Sequence, residues 1–231
     1  MPQMSELGPR LWVSMAGTAG VGKSTLAERL GATLHDRGVP TDVFGEEELF
    51  TRPEFTRVAE GFRTKVYATA DGFESAYRDW LRELPPTALA IMDWNPAGMS
   101  GDLPWAADHD QYLAHLTAVR ALGGGRVLLL HLQTSADCAV ERTARQRGEE
   151  WLARSDAVAR SHGHDQPIRQ ARIIADAEQH ILRTEAEVAV ASAAGWPVRR
   201  IDASAPPDVV HSVALAAIEH HGRSSLGPGQ V

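Results

Sequence analysis

The segment from Gly17 to Ser24 has the residue types and spacing of a phosphate-binding loop. It fits the pattern G-x-x-x-x-G-K-S, and it follows the apolar residues 11–15 and opens a stretch with a leucine at every fourth position. In such a loop the glycines let successive backbone N–H groups point inward at phosphate oxygens. A lysine at this place reaches the β- and γ-phosphates of a nucleotide, and the following hydroxyl binds Mg²⁺. We therefore predict a site for ATP and Mg²⁺ formed by Gly17, Thr18, Ala19, Gly20, Val21, Gly22, Lys23, Ser24 and Thr25. The competing interpretations are a glycine turn without nucleotide and a loop that binds nucleotide without catalysis.

A carboxylate that could act on the metal follows the apolar residues 89–92. This residue is Asp93. An acid at the end of a neighbouring strand is suited to orient the hydration shell of Mg²⁺. Taken alone, an aspartate after an apolar run is more often a turn former. Because a phosphate loop lies upstream, we predict a metal role for both residues. The Ser24 hydroxyl would bind Mg²⁺, and Asp93 would orient its bound water.

An arginine-rich stretch occupies residues 141–150. Arg142 and Arg145 are one helical turn apart and share a face, and Arg147 extends the set. Guanidinium groups on a movable segment could neutralise charge during phosphoryl transfer and exclude water. The alternative is a solvated helix face that pairs with Glu141, Glu149 and Glu150. We favour the first interpretation, with Arg142 and Arg145 as catalytic residues beside Lys23.

Motifs that are missing narrow the class of phosphate-loop protein. The sequence has no N-K-x-D or T-K-x-D, which a guanine-specific switch needs, and no L-S-G-G-Q, which a transporter ATPase needs. What remains resembles the nucleoside and nucleotide kinases, in particular the deoxynucleoside kinase and thymidylate kinase-like group. The resemblance rests on the loop, on the acidic cluster Glu46, Glu47 and Glu48, on Asp93, and on residues 141–150.

The resemblance implies an ATP- and Mg²⁺-dependent kinase. In that family the arginine-rich stretch is a lid, here about residues 141–165, and a carboxylate after the second strand takes the proton of the attacking hydroxyl. Glu46 matches this base best because it stands nearest the strand, and Glu47, also assigned to the substrate, comes next. Glu48 and Asp93 are left open as the base. The family also holds adenine after the last strand, here at residues 202–206. The alternative function is a nucleotide-binding switch or an ATPase without a small-molecule acceptor, which would need neither an acceptor base nor convergent arginines.

The sequence departs from the family where the acceptor is chosen. Asp93 is followed by Trp94, Asn95 and Pro96 and not by an arginine. An aromatic residue here predicts stacking on a ring of the acceptor, with core packing as an equally good alternative. It argues against an ordinary deoxynucleoside or thymidylate as the acceptor. Other aromatic residues that could line an acceptor pocket, at spacings that suit helix packing equally well, are Phe50, Phe62, Tyr67, Phe73 and Tyr77.

Hydrophobic patterning predicts the elements that position these residues. Strands are expected at residues 11–15, 41–44, 89–92, 127–132 and 198–201, and helices at residues 23–37, 54–84 with a break near Asp71 and Gly72, 105–122, 136–147 and 167–194. This alternation predicts an α/β fold with a doubly wound, parallel, five-stranded sheet flanked by helices. We expect one domain over residues 1–221 and a disordered tail over residues 222–231, which are rich in Gly, Ser and Pro.

Composition excludes several other classes. The 231 residues are 43% hydrophobic, which rules out disorder as the main state, and the single cysteine, Cys138, rules out an internal disulfide. A net charge of −7 disfavours binding to nucleic acid. We find no apolar run long enough for a membrane span and no secretory signal. The sequence thus predicts a cytoplasmic protein without a membrane partner, acting on a small, nucleoside-like acceptor, and a homodimer is compatible with it.

Overall fold

Five parallel strands form the centre of the protein. The computed structural model describes residues 11–66, 69–94, 103–148 and 170–224. The strands are β1 (Leu11–Ala16), β2 (Thr41–Phe44), β3 (Leu89–Met92), β4 (Val127–Gln133) and β5 (Val198–Asp202), in the order β2-β3-β1-β4-β5. Every strand begins at the residue that the sequence predicts. The predicted α/β class and the parallel five-stranded sheet are confirmed.

Seven α-helices connect or flank the strands within the described ranges. They are α1 (Lys23–Asp36), α2 (Thr56–Thr64), α3 (Ala70–Glu83), α4 (His109–Leu122), α5 (Ala136–Arg147), α6 (Gln170–Ala193) and α7 (Pro207–Ser224). Three 3₁₀ turns precede helices, at Glu46–Phe50, Pro53–Phe55 and Pro104–Ala107. None of these described helices combines the length and apolarity that crossing a bilayer requires.

Helices cover both faces of the sheet, as the doubly wound prediction requires. Strand residues alternate between the faces, so Trp12 and Ala16 of β1 point to one side and Val13 and Met15 to the other. The first face is aromatic and packs against α3, α4 and α6. The second face is aliphatic and packs against α1 and α7. Because the two layers differ in composition, we call them the aromatic face and the aliphatic face.

Two predicted boundaries differ from the structure. The break in the predicted helix over residues 54–84 lies not at Asp71 and Gly72 but between α2 and α3. Lys65 ends α2 with a left-handed φ of 57°, and Thr69 starts α3 by accepting the Gly72 N–H with its side chain. The strong N-cap places Gly72 in the first helical turn, where it does not interrupt the helix.

The last helix is absent from the sequence prediction. Helix α7 reaches Ser224, three residues into the predicted tail, and residues 225–231 lie outside the described part. Ile218 of α7 is fully buried, and the Arg126 guanidinium donates to the Gly222 carbonyl. These contacts hold the end of the helix against the sheet.

Candidate active site

The phosphate loop lies between β1 and α1 at the carboxyl edge of the sheet. Gly20 and Gly22 have φ angles of 77° and 100°, which L side chains rarely adopt. A Cβ atom at Gly20 would also collide with the Thr143 hydroxyl and the Ala139 carbonyl of α5. Glycine at position 20 therefore satisfies both the backbone conformation and the close approach of α5.

Lys23 folds back over the loop at the start of α1. Its Nζ donates to the Gly17 carbonyl at 2.9 Å and to the Thr18 carbonyl at 3.3 Å. An ammonium group has three donors, so one remains for a phosphate oxygen. Burial lowers the pKa of Lys23, and the negative charges of Glu46 and Asp93 oppose this shift. Both predicted carboxylates, which follow two other strands, therefore interact electrostatically with the lysine.

Asp93 holds the turn that follows β2. Its Oδ1 accepts the Glu46 backbone N–H at 2.6 Å, and its own N–H donates to the Phe44 carbonyl at 3.2 Å. These contacts are possible because Phe44 and Met92 are register partners at the ends of neighbouring strands. Asp93 is only 5% exposed. Its second oxygen is thus presented from a fixed carboxylate, as a group that orients metal-bound water should be.

The acidic cluster after β2 divides into two kinds of residue. Glu46 and Glu47 are exposed in the first turn of the 3₁₀ segment. Glu48 instead accepts the Gly45 N–H at 3.3 Å and the Arg52 Nε–H at 2.7 Å. Glu48 is occupied in holding the turn, which leaves Glu46 as the member of the cluster whose charge reaches Lys23.

Arg142 and Arg145 occupy different environments on α5. The Arg142 guanidinium donates to the Ala203 carbonyl at 2.7 Å, at the end of β5. Arg145 is exposed and pairs with Glu141 at 2.6 Å, which is the contact that the solvated-face alternative predicts. Both roles in phosphoryl transfer stay predictions, and residues 149–165 of the predicted lid lie outside the described ranges.

Trp94 packs into the aromatic core, as the alternative to stacking predicted. It is 6% exposed, and its ring centroid lies 5.9 Å from that of Phe44 and 6.1 Å from that of Tyr77. The Trp94 ring is therefore largely buried among other rings, and its predicted contact with the acceptor stays a prediction. The described residues do not include Asn95 and Pro96, which follow Trp94 in the sequence, or Tyr67, another predicted pocket residue.

Two further residues, Arg52 and His180, contact residues of the site, and neither is predicted from the sequence. Arg52 forms ion pairs with Asp42 at 3.0 Å and with Glu48 at 2.7 Å, and it lies 4.5 Å from the Phe44 ring centroid. Its spacing of four from Glu48 was a usable signal. His180 of α6 places Nδ1 3.3 Å from the Thr18 hydroxyl. No local pattern could reveal this contact, because 162 residues separate the partners.

The described residues fit a nucleotide with its metal ion. The loop supplies backbone donors and one free lysine donor, Ser24 presents an exposed hydroxyl in the first turn of α1, and Asp93 is held in place. Within the described ranges, no three His, Cys, Asp or Glu side chains group to hold a metal by themselves. One hydroxyl and one carboxylate, from Ser24 and Asp93, suit Mg²⁺, because this ion takes most of its ligands from phosphate and water.

Comparisons with known proteins give a likeness of fold. No protein-family model matches the chain, and no curated protein matches it in sequence. A gluconokinase from Sinorhizobium meliloti 1021 aligns over 94% of this chain and 95% of its own, at 15% identity and a TM-score of 0.49. The protein APE1195 aligns over 92% of this chain and 97% of its own, at 13% identity and a TM-score of 0.50. The chain therefore shares its overall architecture with solved structures.

Proposed function

We propose that the protein is an ATP- and Mg²⁺-dependent small-molecule kinase that phosphorylates a hydroxyl group of a nucleoside-like or other hydroxylated acceptor. One observation carries this proposal. Glu46 and Asp93, which follow β2 and β3, meet at the carboxyl edge of the sheet, where Asp93 Oδ1 accepts the Glu46 N–H at 2.6 Å, and the charges of both oppose the lowering of the Lys23 pKa by burial. An ATP-binding switch needs the loop and a metal-orienting acid, whereas a second, exposed carboxylate beside them suits an acceptor base.

The residues of the loop hold the nucleotide in this proposal. Backbone N–H groups from Gly17 to Thr25 bind phosphate oxygens, Lys23 neutralises charge on the β- and γ-phosphates, and the Ser24 hydroxyl with Asp93 serves Mg²⁺. Mg²⁺–ATP supplies the phosphoryl group. Arg142 fixes residues 202–206, the predicted adenine contact, through Ala203. Arg145 would exchange Glu141 for the transferring phosphoryl group.

Glu46 is the proposed base, and Glu47 the proposed contact to the acceptor. The acceptor oxygen forms a bond to the γ-phosphorus while the bond from that phosphorus to the β–γ bridging oxygen breaks, which releases ADP. The proton of the acceptor hydroxyl passes to the Glu46 carboxylate. The exposure of Glu46 and Glu47 supports these roles, because an acceptor must reach both.

The experiment is a screen for ADP release that depends on an added acceptor. Nucleosides, nucleotides and hydroxylated natural products are each supplied with Mg²⁺–ATP, and the phosphorylated product is confirmed by mass spectrometry. We expect turnover well above the rate without acceptor. Slow turnover that no acceptor raises would identify an ATPase or a switch instead.

Glu46→Gln separates acceptor activation from nucleotide binding, with Glu47→Gln as the matched control. Loss of the base should lower kcat by about a hundredfold or more and leave ATP affinity nearly unchanged. Glu47→Gln removes the same charge one residue away and should mainly raise the acceptor KM. If Glu46→Gln weakens ATP binding as much as turnover, Glu46 belongs to the nucleotide site and not to the acceptor.

A further inference from the structure

Arg52 lies between the two 3₁₀ turns that follow β2, and its guanidinium group makes four hydrogen bonds within the protein. Its Nε donates to Glu48 Oε2 at 2.7 Å, and its Nη1 donates to Asp42 Oδ2 at 3.0 Å. Its Nη2 donates to Asp42 Oδ1 and to the Val43 carbonyl, each at 3.2 Å. An arginine side chain has five N–H donors, so at most one donor remains for any other group. We call Arg52, Asp42 and Glu48 the arginine network.

The surroundings of Arg52 keep its guanidinium group charged and in place. The side chain is only 18% exposed, and it lies 4.5 Å from the Phe44 ring centroid and 5.9 Å from that of Trp80. Burial acts to lower the pKa of Arg52, but the hydrogen bonds and charges of Asp42 and Glu48 outweigh this effect and raise the pKa. Arg52 is therefore a fixed cation whose contacts are made inside the protein.

Asp42 attaches the arginine network to the core. Its Oδ2 also accepts the Trp80 Nε1–H at 2.7 Å. Trp80 of α3 is 1% exposed and belongs to the aromatic face. Asp42 lies in β2, the strand at one edge of the sheet. The arginine network is thus fixed relative to both β2 and α3.

Glu48 connects Arg52 to the turn that carries Glu46. While Oε2 of Glu48 accepts from Arg52, its Oε1 accepts the Gly45 N–H at 3.3 Å. The next N–H along the chain, that of Glu46, donates to Asp93 Oδ1 at 2.6 Å. The Glu48 side chain is 45% exposed, and an exposed carboxylate without a partner populates several rotamers. The ion pair with Arg52 restricts Glu48 to the position in which it holds the turn.

We propose that Arg52 is a positioning residue for phosphoryl transfer, which acts through Glu48 to hold the turn that presents Glu46 to the acceptor. The proposal rests on the proposed kinase function, in which Glu46 is the base. Arg52 itself contacts neither the acceptor nor the nucleotide. Displacement of a reacting group by about 1 Å can slow a reaction about a hundredfold. A residue that fixes the base therefore controls kcat without binding the substrate.

The first test follows the amide protons of the turn and needs no acceptor. In Arg52→Gln the guanidinium group is lost, and the Glu48 carboxylate is no longer restricted. We expect the N–H groups of Gly45 and Glu46 to exchange with deuterium about tenfold faster or more than in the parent protein. Nuclear magnetic resonance of the full chain measures these rates. Unchanged exchange at both positions would overturn the proposal.

Arg63→Gln is the matched control for this test. Arg63 donates to the Phe50 carbonyl at 3.4 Å, at the end of the same 3₁₀ turn, and its side chain is 57% exposed. Its removal takes the same charge from the same part of the molecule but leaves the arginine network intact. We expect neither amide exchange nor turnover to change. An acceleration equal to that of Arg52→Gln would show that general loss of charge loosens the turn, and this would overturn the proposal.

Glu48→Ala keeps the proposal testable if Arg52→Gln does not fold. This variant removes the link to the turn and leaves Arg52 bound to Asp42 and the core. We expect faster exchange of the Glu46 N–H, although its own acceptor is unchanged, and a lower kcat. If neither quantity changes, Glu48 does not hold the turn and the proposal is overturned.

The second test is a double-mutant cycle on turnover, with an acceptor found by the screen for ADP release. Arg52→Gln alone should lower kcat about tenfold or more and leave the ATP KM nearly unchanged. If Arg52 acts through Glu46, the double variant with Glu46→Gln should be no slower than Glu46→Gln alone. A merely structural arginine would lower both rates by the same factor, and that result contradicts the proposal.

These tests fail separately from the kinase proposal. Faster exchange in Arg52→Gln, without phosphorylation of any acceptor, would keep the arginine network as the support of the turn and reject the kinase function. Acceptor-dependent turnover that Arg52→Gln lowers equally with and without Glu46→Gln would keep the kinase function and reject Arg52 as a positioning residue.

Discussion

At the scale of single residues, Lys23 is the group on which the nucleotide site depends most. The chain has only two lysines, Lys23 and Lys65, among 23 basic residues. A compact ammonium reaches a phosphate through a narrow loop where the planar fork of arginine fits less well. The same side chain bonds two carbonyls of the loop, so it also fixes the loop conformation.

Lys23→Ala should therefore abolish nucleotide turnover and leave the fold intact. We expect kcat to fall by about a hundredfold or more, because the ammonium that neutralises negative charge on the transferring phosphoryl group is lost. Lys65→Ala, at an exposed position, is the matched control and should keep full activity. Circular dichroism checks the fold, and loss of helical signal in Lys23→Ala alone would show that the lysine is required for folding.

Asp93→Asn tests the metal role without removing the turn contact. Asparagine keeps an oxygen that can accept the Glu46 N–H, but it carries no charge to orient metal-bound water. The Mg²⁺ concentration for half-maximal activity should rise about tenfold or more. A titration of activity against Mg²⁺ measures this. An unchanged midpoint would transfer the metal role to another residue, first of all Glu46.

The sequence predicted those parts of the site that depend on chain-local patterns. The loop, Asp93 and Glu46 each follow a strand, and parallel strands bring their carboxyl ends to one edge. It ranked Glu46 first but could not exclude Glu48 as the base, because the difference lies in the pairing of Glu48 with Arg52. It likewise could not choose between core packing and stacking for Trp94. That choice depends on Phe44 and Tyr77, which lie in other elements.

At the scale of elements, the phosphate loop contacts α5, the helix that carries Arg142 and Arg145. A Cβ atom at Gly20 would meet Thr143 and Ala139 of α5, whereas one at Gly38, after α1, would meet no atom within 4 Å. Both glycines have a φ of 77°. The two positions therefore share a left-handed φ and differ in how closely they are packed.

Gly20→Ala and Gly38→Ala form a matched pair that isolates this packing. Left-handed strain should cost about 1–2 kcal/mol at either position. Gly20→Ala should cost a further ~1–3 kcal/mol, because alanine cannot fit without moving the loop or α5. It should also weaken ATP binding, which Gly38→Ala should not. Urea unfolding measures the first effect and nucleotide titration the second. Equal unfolding free energies for Gly20→Ala and Gly38→Ala would show that α5 moves to accommodate the added methyl group at no cost.

Element prediction succeeded where hydrophobic runs were continuous and failed where capping decided the boundary. Strands β1, β3 and β4 are largely apolar at successive positions, as buried parallel strands are, whereas β2 contains Asp42 and β5 contains Arg199 and Arg200. The break between α2 and α3 was misplaced because Gly72 looks like a helix breaker until the Thr69 cap is considered. Helix α7 was missed although Pro207 and Asp208 at its start and Val210, Ala214 and Ile218 at helical spacing signal it.

At the scale of the whole molecule, we expect histidines in buried or half-buried positions to control how the stability of the fold responds to acid. Burial lowers the pKa of His131, His211 and His221, and it lowers that of His115 to about 4. The His115 side chain is 2% exposed, and its Nδ1 lies 3.1 Å from Glu74 Oε1. Burial raises the pKa of Glu74, so the environment of this pair favours the uncharged form of each group.

The sign of the effect follows from the protons that each state binds. Between pH 6.5 and about 4 the unfolded chain protonates His115 and the folded protein does not, so the free energy of unfolding falls as the pH is lowered. For a shift from 6.5 to about 4 the loss reaches about 3 kcal/mol. Glu74 acts in the opposite sense at the acidic end, because its raised pKa makes the folded state bind the proton first.

We expect the unfolding free energy to decrease steadily from pH 7 to pH 5, before most carboxylates titrate. His115→Asn retains a side-chain amide that can donate to Glu74 and removes the titrating ring. Urea unfolding at pH 8, 7, 6 and 5 should give this variant a lower stability at pH 8 but a flatter dependence on pH than the parent protein. If the unfolding free energies of the two proteins fall equally with decreasing pH, His115 does not control the acid response. The dependence on pH would then come from the other histidines whose pKa is lowered.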